Sequence, residues 1–273
     1  MLLHRILTAL VLLPLVIAGV LFLPTNGFAL VLAVVILLGA SEWLRLAQLV
    51  TAKERVLFLV SMVFALLIIS YYLREPGVAL ALFSLASVGW LVISGLVIQY
   101  HPERSPRFGK FAKALIGLFV LVPTWAALVF LHGYGAQGPE LVLFAMSLSW
   151  VADTGAYFAG RQWGRVKLAP HVSPKKTREG VYGALIAVGL WSGLLIWLRP
   201  ETGSAILIVL LCLVVCLVSV IGDLFESLLK RQSGIKDSGN ILPGHGGILD
   251  RIDSLTAVAP LFMFGLLLLG GGK

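Results

Sequence analysis

Charge is scarce in this sequence. Asp, Glu, Lys and Arg together make up 12% of the residues, about half of the roughly 25% typical of a soluble domain. With 59% hydrophobic residues and a mean hydropathy of +0.99, a water-soluble globular fold is excluded. Cysteine is nearly absent: Cys212 and Cys216 stand four apart in one apolar run, which implies neither a disulfide framework nor a metal site and leaves them as buried small hydrophobes on one helix face. The sequence also lacks a soluble domain, an internal repeat and a low-complexity linker. Its apolar stretches do not alternate with polar residues, as a membrane β-barrel would require.

The apolar runs themselves approach the ~20 residues that cross a hydrocarbon core as a helix. Nine can be marked, at about 6–23, 28–44, 56–73, 78–100, 115–131, 141–159, 181–198, 203–225 and 254–270. The fold class expected is all-α, a polytopic integral membrane protein. His4, Arg5 and the first run have the outline of a leader, but the run is long and contains Pro14, so it is read as a retained span. When the 21 Lys and Arg residues are sorted into the gaps between runs, alternate gaps hold 18 on one side and 3 on the other. The positive-inside rule then puts the N-terminus in the cytoplasm and the C-terminus outside. The expected organisation is a scaffold of helices over 1–140 and a catalytic region over 141–273, with cytoplasmic loops at 160–180 and 226–253.

The formal net charge is +8, yet the cations are spread over short loops, so membrane lipids or an anionic soluble substrate, rather than nucleic acid, are the expected partners. The loop His101 to Lys113 reads as a topology determinant that touches lipid phosphates. Glu42, Trp43 and Arg45 close the second run and read as an interfacial anchor, and Pro14 and Pro123 as kinks.

Acidic residues are scarcer than basic ones, and the five aspartates, Asp153, Asp223, Asp237, Asp250 and Asp253, all fall in the second half. The topology puts them at or near the cytoplasmic ends of the helices there. Asp153 and Asp223 lie within apolar runs, where an acid costs about 2.5–3.5 kcal/mol at mid-bilayer and points by default to function. Between the sixth and seventh runs lie Arg161, Arg165, Lys167, Lys175, Lys176 and Arg178. Gly155, Gly160, Gly164 and Gly180 would let backbone approach a ligand, and Ser173 and Thr177 offer hydroxyls. This is a candidate polyphosphate site, although the P-loop spacing is absent.

The other polar stretch, Lys230 to Asp253, reads K-R-Q-S-G-I-K-D-S-G-N-I-L-P-G-H-G-G-I-L-D-R-I-D. On a helix Asp223, Glu226, Ser227 and Lys230 share one face. Asp223 and Asp250, brought together beside cations, would make a candidate Mg²⁺ site, since that ion takes one or two carboxylates plus phosphate oxygens. Plain salt bridges from Asp223 to Lys230 or Arg231, and from Asp250 or Asp253 to Arg251, are the competing reading. The glycines of P-G-H-G-G, Gly246 and Gly247 among them, precede the last run and can turn N–H groups towards an anion at a helix N-terminus. His245 is a candidate to hydrogen-bond a phosphate.

Ser227, Lys230, Arg231, Lys236, Asp237, Gly239, Leu242, Pro243, His245, Gly246, Gly247, Asp250, Arg251 and Asp253 together resemble the signature of the phosphatidate cytidylyltransferases, also called CDP-diacylglycerol synthases. The loop S-P-K-K-T-R-E-G resembles its counterpart in that family. The resemblance implies condensation of CTP with phosphatidic acid to CDP-diacylglycerol and pyrophosphate, dependence on Mg²⁺ with K⁺ as a second cation, a homodimer, and a multi-pass place in the inner membrane with the active site facing the cytoplasm. It makes Asp223 and Asp250 the leading metal ligands, with Asp253 and Asp153 near them. Lys230, Arg231 and His245 join Asp223 and Asp250 as catalytic candidates. Ser173, Lys175, Lys176, Thr177, Lys236, Asp237, Gly246, Gly247 and Arg251 are the substrate-binding candidates. Both polar loops are expected to contact the same nucleotide. A transporter of an anionic substrate, and a cytidylyltransferase for another lipid phosphate, are the alternatives.

Overall fold

The structure is a computed structural model that describes residues 2–105, 107–198, 204–241, 244 and 246–270. Among them are nine α-helices: α1 (Leu2–Phe22), α2 (Thr25–Leu46), α3 (Ala52–Tyr72), α4 (Pro76–Ile98), α5 (Lys110–His132), α6 (Gly138–Trp163), α7 (Arg178–Leu198), α8 (Ala205–Gln232) and α9 (Leu249–Leu268). Each covers one of the apolar runs, and the eight from α2 to α9 are long and apolar enough to cross a membrane. The molecule is an all-α, polytopic membrane protein. Side chains such as Phe22, Leu190 and Trp197 are 75–82% exposed, as lipid-facing residues are. The helices overrun the apolar runs at their polar ends: α6 continues to Trp163, α8 continues to Gln232, and α9 begins at Leu249. Hydropathy marks only the part of a helix that suits hydrocarbon, whereas backbone hydrogen bonding carries the helix further. Asp250 and Asp253, expected at the entrance of the last span, therefore lie inside a helix.

The chain forms two compact units. One comprises Met1–Ala79, Arg107–Leu143 and Leu229–Asp253. Here α2, α3 and α5 pack on one another. Gly117 of α5 makes room for the Trp43 ring, which a β-carbon would overlap, and Trp43 Nε1 donates to the Lys113 carbonyl at 2.8 Å. His132 stacks on Phe28 with ring centroids 4.4 Å apart. Its Nε2 lies 2.9 Å from the Val20 carbonyl, which can only accept, so that nitrogen carries the proton and Nδ1 accepts from the Thr25 hydroxyl at 3.0 Å. Thr51 and Glu54 form a capping box at the start of α3, which satisfies two N–H groups that helix geometry leaves unpaired.

The other unit comprises Leu80–Pro106, Phe144–Leu228 and Ser254–Lys273. Its aromatic contacts include Phe144 with Phe262 at 5.7 Å and Trp90 edge-on to Phe225 at 6.1 Å. Cys212 and Cys216 are fully buried free thiols, as expected. The basic loop departs from an all-helical reading. It contains a two-stranded antiparallel hairpin, β1 (Lys167–Ala169) and β2 (Ser173–Thr177), with Lys167 opposite Thr177 and Ala169 opposite Ser173. An isolated hairpin is marginal in water. This one is held by buried Val172 and by the start of α7, where Arg178 N donates to the Val166 carbonyl at 2.9 Å and Val166 N donates to the Glu179 carboxylate at 3.2 Å.

Candidate functional site

The first cluster belongs to the unit that holds α6, α7 and most of α8. A cavity of about 340 Å³ is lined by Asp153, Tyr157 and Arg161 of α6, Lys175 and Lys176 of β2, and Val220 of α8. Small residues border it, Ala152 and Ala156 among them. A β-carbon on Gly155 would come within 2.7 Å of the Gly183 carbonyl, and one on Gly180 within 3.0 Å of the Ala156 carbonyl. The glycines therefore let α6 and α7 approach closely, as small residues do between membrane helices. Gly160 and Gly180 line the cavity as well. Thr177 is buried and its hydroxyl accepts from Gly180 N at 3.2 Å, so its oxygen serves as the N-cap of α7. Lys175 is exposed and Ser173 partly so.

Asp223 on α8 is bound by this loop. Lys176 Nζ sits 2.7 Å from Asp223 Oδ2, with both side chains about a quarter exposed at 24% and 28%, and the Ser227 hydroxyl donates to Oδ1 at 3.3 Å. The partner is thus a lysine 47 positions upstream, and not Lys230 or Arg231 as a local pairing would have it. Cations from the hairpin thus stand beside acids of α6 and α8, an arrangement suited to a polyphosphate with a counter-ion.

The second cluster belongs to the other unit and is built around Asp250. Lys230 Nζ donates to its Oδ1 at 2.8 Å, with both side chains about 10% exposed. Gly247 N donates to Oδ2 at 2.8 Å and Ser238 N at 3.1 Å. The N–H groups that the glycine-rich turn offers to an anion thus include one committed to the protein's own carboxylate. Gly246 adopts a φ of +84°, a conformation that favours glycine, and a β-carbon there would lie 2.9 Å from Asp250 Oδ2. Arg231, Lys236, Asp237 and Arg251 are exposed and Asp253 is half-buried. Leu242, Pro243 and His245 lie outside the described residues.

Three residues that the sequence reading set aside hold this stretch in place. Glu42, 4% exposed, accepts from Leu249 N at 2.9 Å and from the Ser238 hydroxyl at 3.3 Å through Oε2. Its carboxylate fills the space that β-carbons on Gly239 and Gly247 would occupy. Lys113, 1% exposed, donates to the Ser233 hydroxyl at 2.7 Å, and that hydroxyl donates to the Leu46 carbonyl at 2.6 Å. Arg45 Nη1 reaches the Ser238 carbonyl at 3.4 Å. Glu42 is therefore no interfacial anchor, and Lys113 no mere topology determinant. The signal for Glu42 was present: an acid within an apolar run is as costly there as at Asp153 or Asp223.

Among the described residues no three His, Cys, Asp or Glu side chains gather in a group that would hold a metal ion. Magnesium needs fewer, since one or two carboxylates suffice when substrate phosphates complete the shell. Asp223 fits that pattern: it is accessible and already attracts an ammonium group. Asp250 also has a cation on one oxygen, but its other bonds come from backbone amides.

Eight helices long and apolar enough to span a bilayer define the class: a multi-pass membrane protein. The cytidylyltransferase family model matches residues 3–269. A phosphatidate cytidylyltransferase of Pseudomonas aeruginosa is 45% identical over 264 residues, covering 96% of each chain. One from Haemophilus influenzae is 35% identical over 97% of this chain and 98% of its own, and one from Staphylococcus saprophyticus is 38% identical over 63% and 65%. The chain belongs to the cytidylyltransferase family.

Proposed function

We propose that this protein condenses CTP with phosphatidic acid to give CDP-diacylglycerol and pyrophosphate. The observation that carries this reading beyond family membership is the cavity beside the hairpin, which holds Arg161, Lys175 and Lys176 together with Asp153. A triphosphate needs its charge neutralised and its chain held, and guanidinium and ammonium groups do both. Lys175, exposed and in the wall of that cavity with Arg161, is assigned with it to the CTP phosphates. A lipid phosphate oxygen attacks the α-phosphorus of CTP, the bond from that phosphorus to the bridging oxygen of the β-phosphate breaks, and pyrophosphate departs with the electron pair. The attacking phosphate is already ionised, so the reaction needs no strong general base and no covalent enzyme intermediate.

Asp223, with Asp153 in the cavity wall, is assigned to hold Mg²⁺. When bound, the ion would neutralise phosphate oxygens and the departing pyrophosphate. Asp250 and Asp253 are retained as further candidate ligands and K⁺ as a second cation. The charge asymmetry between loops supports a cytoplasmic N-terminus and a cytoplasm-facing site in the inner membrane, where the basic loops would draw in CTP. The family resemblance supports a homodimer.

The test is turnover by purified protein in detergent with labelled CTP, Mg²⁺ and a panel of lipid phosphates. CDP-diacylglycerol and pyrophosphate in equal amounts, lost with EDTA and restored by Mg²⁺, are expected. Turnover of a polyprenyl or ether-lipid phosphate in preference to phosphatidate would move the assignment to another lipid, and vesicle uptake of an anion without nucleotide turnover would replace it with transport.

A further inference from the structure

The unit that contains Glu42 and Lys113 has a polar cavity at the far ends of the same helices. It measures about 240 Å³ and is lined by Asn26 of α2, Ser70 of α3, Arg74 just beyond α3, and Trp125, Val129 and Phe130 of α5. Thr25, also in its wall, and Glu42 are 17 residues apart on α2, about 25 Å at the 1.5 Å rise of a helix. That is close to the thickness of the hydrocarbon core. The cavity and the Glu42 carboxylate therefore lie near opposite faces of the bilayer.

The polar side chains in this wall are uncommitted. Among the described residues, those of Arg74, Asn26 and Ser70 have no hydrogen-bond or ion-pair partner. Ser84, Ser87, Ser94 and Ser147, on other spanning helices, each return the hydroxyl proton to a carbonyl three or four positions back at 2.7–2.9 Å; Ser70 does not. Arg74 is also one of three cations on the sparse side of the loop-charge count, where topology gives no reason for it. Donors without acceptors around a cation without an anion suit a ligand that is anionic and rich in acceptor oxygens. No carboxylate lines the cavity with them, so nothing there would receive the ammonium of a zwitterionic head.

We propose that this cavity binds the phosphodiester head of an anionic phospholipid, in the leaflet opposite the Glu42 network. Arg74 pairs with the phosphate, Asn26 and Ser70 donate to its oxygens, and Trp125 and Phe130 wall the glycerol. The volume falls below the roughly 300–1,000 Å³ of sites that enclose a whole drug-sized ligand, so the acyl chains stay outside. Leu30 and Tyr71, next in sequence to the cavity residues Ala29 and Ser70, are 72% and 76% exposed and offer those chains a surface. A head held there ties the start of α2 to the ends of α3 and α5, and stabilises the folded chain as any ligand of the native state does. This lipid is no substrate, and its site does not depend on the proposed reaction.

The full-length protein, delipidated in detergent, is titrated with phosphatidylglycerol, phosphatidylcholine or inorganic phosphate while thermal unfolding is followed. Phosphatidylglycerol is expected to raise the unfolding temperature and the other two to leave it nearly unchanged. Arg74→Gln is expected to raise the half-saturating phosphatidylglycerol concentration about tenfold, the worth of one charge-assisted hydrogen bond, with turnover and lipid-free stability unchanged. Arg104→Gln, in the cation-rich loop, should shift it less. Equal stabilisation by phosphatidylcholine or by inorganic phosphate overturns the anionic lipid head. An unshifted curve for Arg74→Gln, or a larger shift for Arg104→Gln, overturns the site. On the unaltered chain, phosphatidylglycerol is expected to slow modification of Arg74 by phenylglyoxal, read by peptide mass spectrometry, while phosphatidylcholine does not. Equal rates with the two lipids overturn the site even where the variant fails to fold.

Discussion

The Glu42 carboxylate accepts a hydrogen bond from the Leu249 amide at 2.9 Å across 207 positions of sequence. Leu249 is the first residue of α9, and the adjacent Asp250 accepts from Ser238 and Gly247, while Ser238 also donates to Glu42. Two carboxylates, one from α2 and one from α9, thus grip the same short stretch from either side. Removing either leaves buried donors without their acceptor.

Glu42→Ala is expected to lower thermal stability markedly, because it strands the Leu249 amide and the Ser238 hydroxyl at about 1–3 kcal/mol each. Glu42→Gln keeps an acceptor oxygen and should restore most of the loss. Thermal unfolding in detergent, read with turnover, checks both, and equal damage from the two substitutions would show that the negative charge and not the hydrogen bonding matters.

The two acid–lysine pairs should respond differently to amidation. Asp223→Asn is expected to abolish turnover with little change in unfolding temperature, since its pair with Lys176 is about a quarter exposed and such pairs contribute at most about 1 kcal/mol. Asp250→Asn leaves Lys230 without its anion at about 10% exposure and should cost about 3 kcal/mol or more in stability as well as activity. Near-normal turnover of Asp223→Asn would remove it from the metal site.

Lys175→Ala should raise KM for CTP by about tenfold or more, the worth of one charge-assisted hydrogen bond, with a smaller effect on KM for phosphatidate. Steady-state kinetics at fixed ionic strength gives the split. An unchanged KM for CTP would return this part of the hairpin to lipid contact.

Gly183→Val should separate α6 from α7, because even a β-carbon there would come within 2.6 Å of the Gly155 carbonyl. Overpacking of this sort costs about 1–3 kcal/mol, and loss of the α6–α7 approach should reduce CTP binding along with stability. Gly193→Ala on the same helix, where a β-carbon meets nothing within 4 Å, is the control expected to be neutral in both measurements.

How much of this was legible follows from the range over which each force acts. Helix number, helix type and membrane class were determined by the sequence alone, because a bilayer makes every backbone group bond locally and hydropathy is a local property. The same holds for the two polar stretches, since charges among apolar runs stand out without any partner being known. Tertiary structure alone decided which lysine meets which acid: Lys176 with Asp223 and Lys230 with Asp250 are pairings over 47 and 20 positions that helical spacing does not encode. It also made the Thr177 hydroxyl the cap of α7, gave the basic loop a hairpin, and brought Glu42 from an apparent helix-end anchor to the floor of the Lys230–Asp253 stretch. The reason is physical: a buried carboxylate or ammonium is stable only against the donors or acceptors that packing delivers, and packing joins residues that sequence holds far apart.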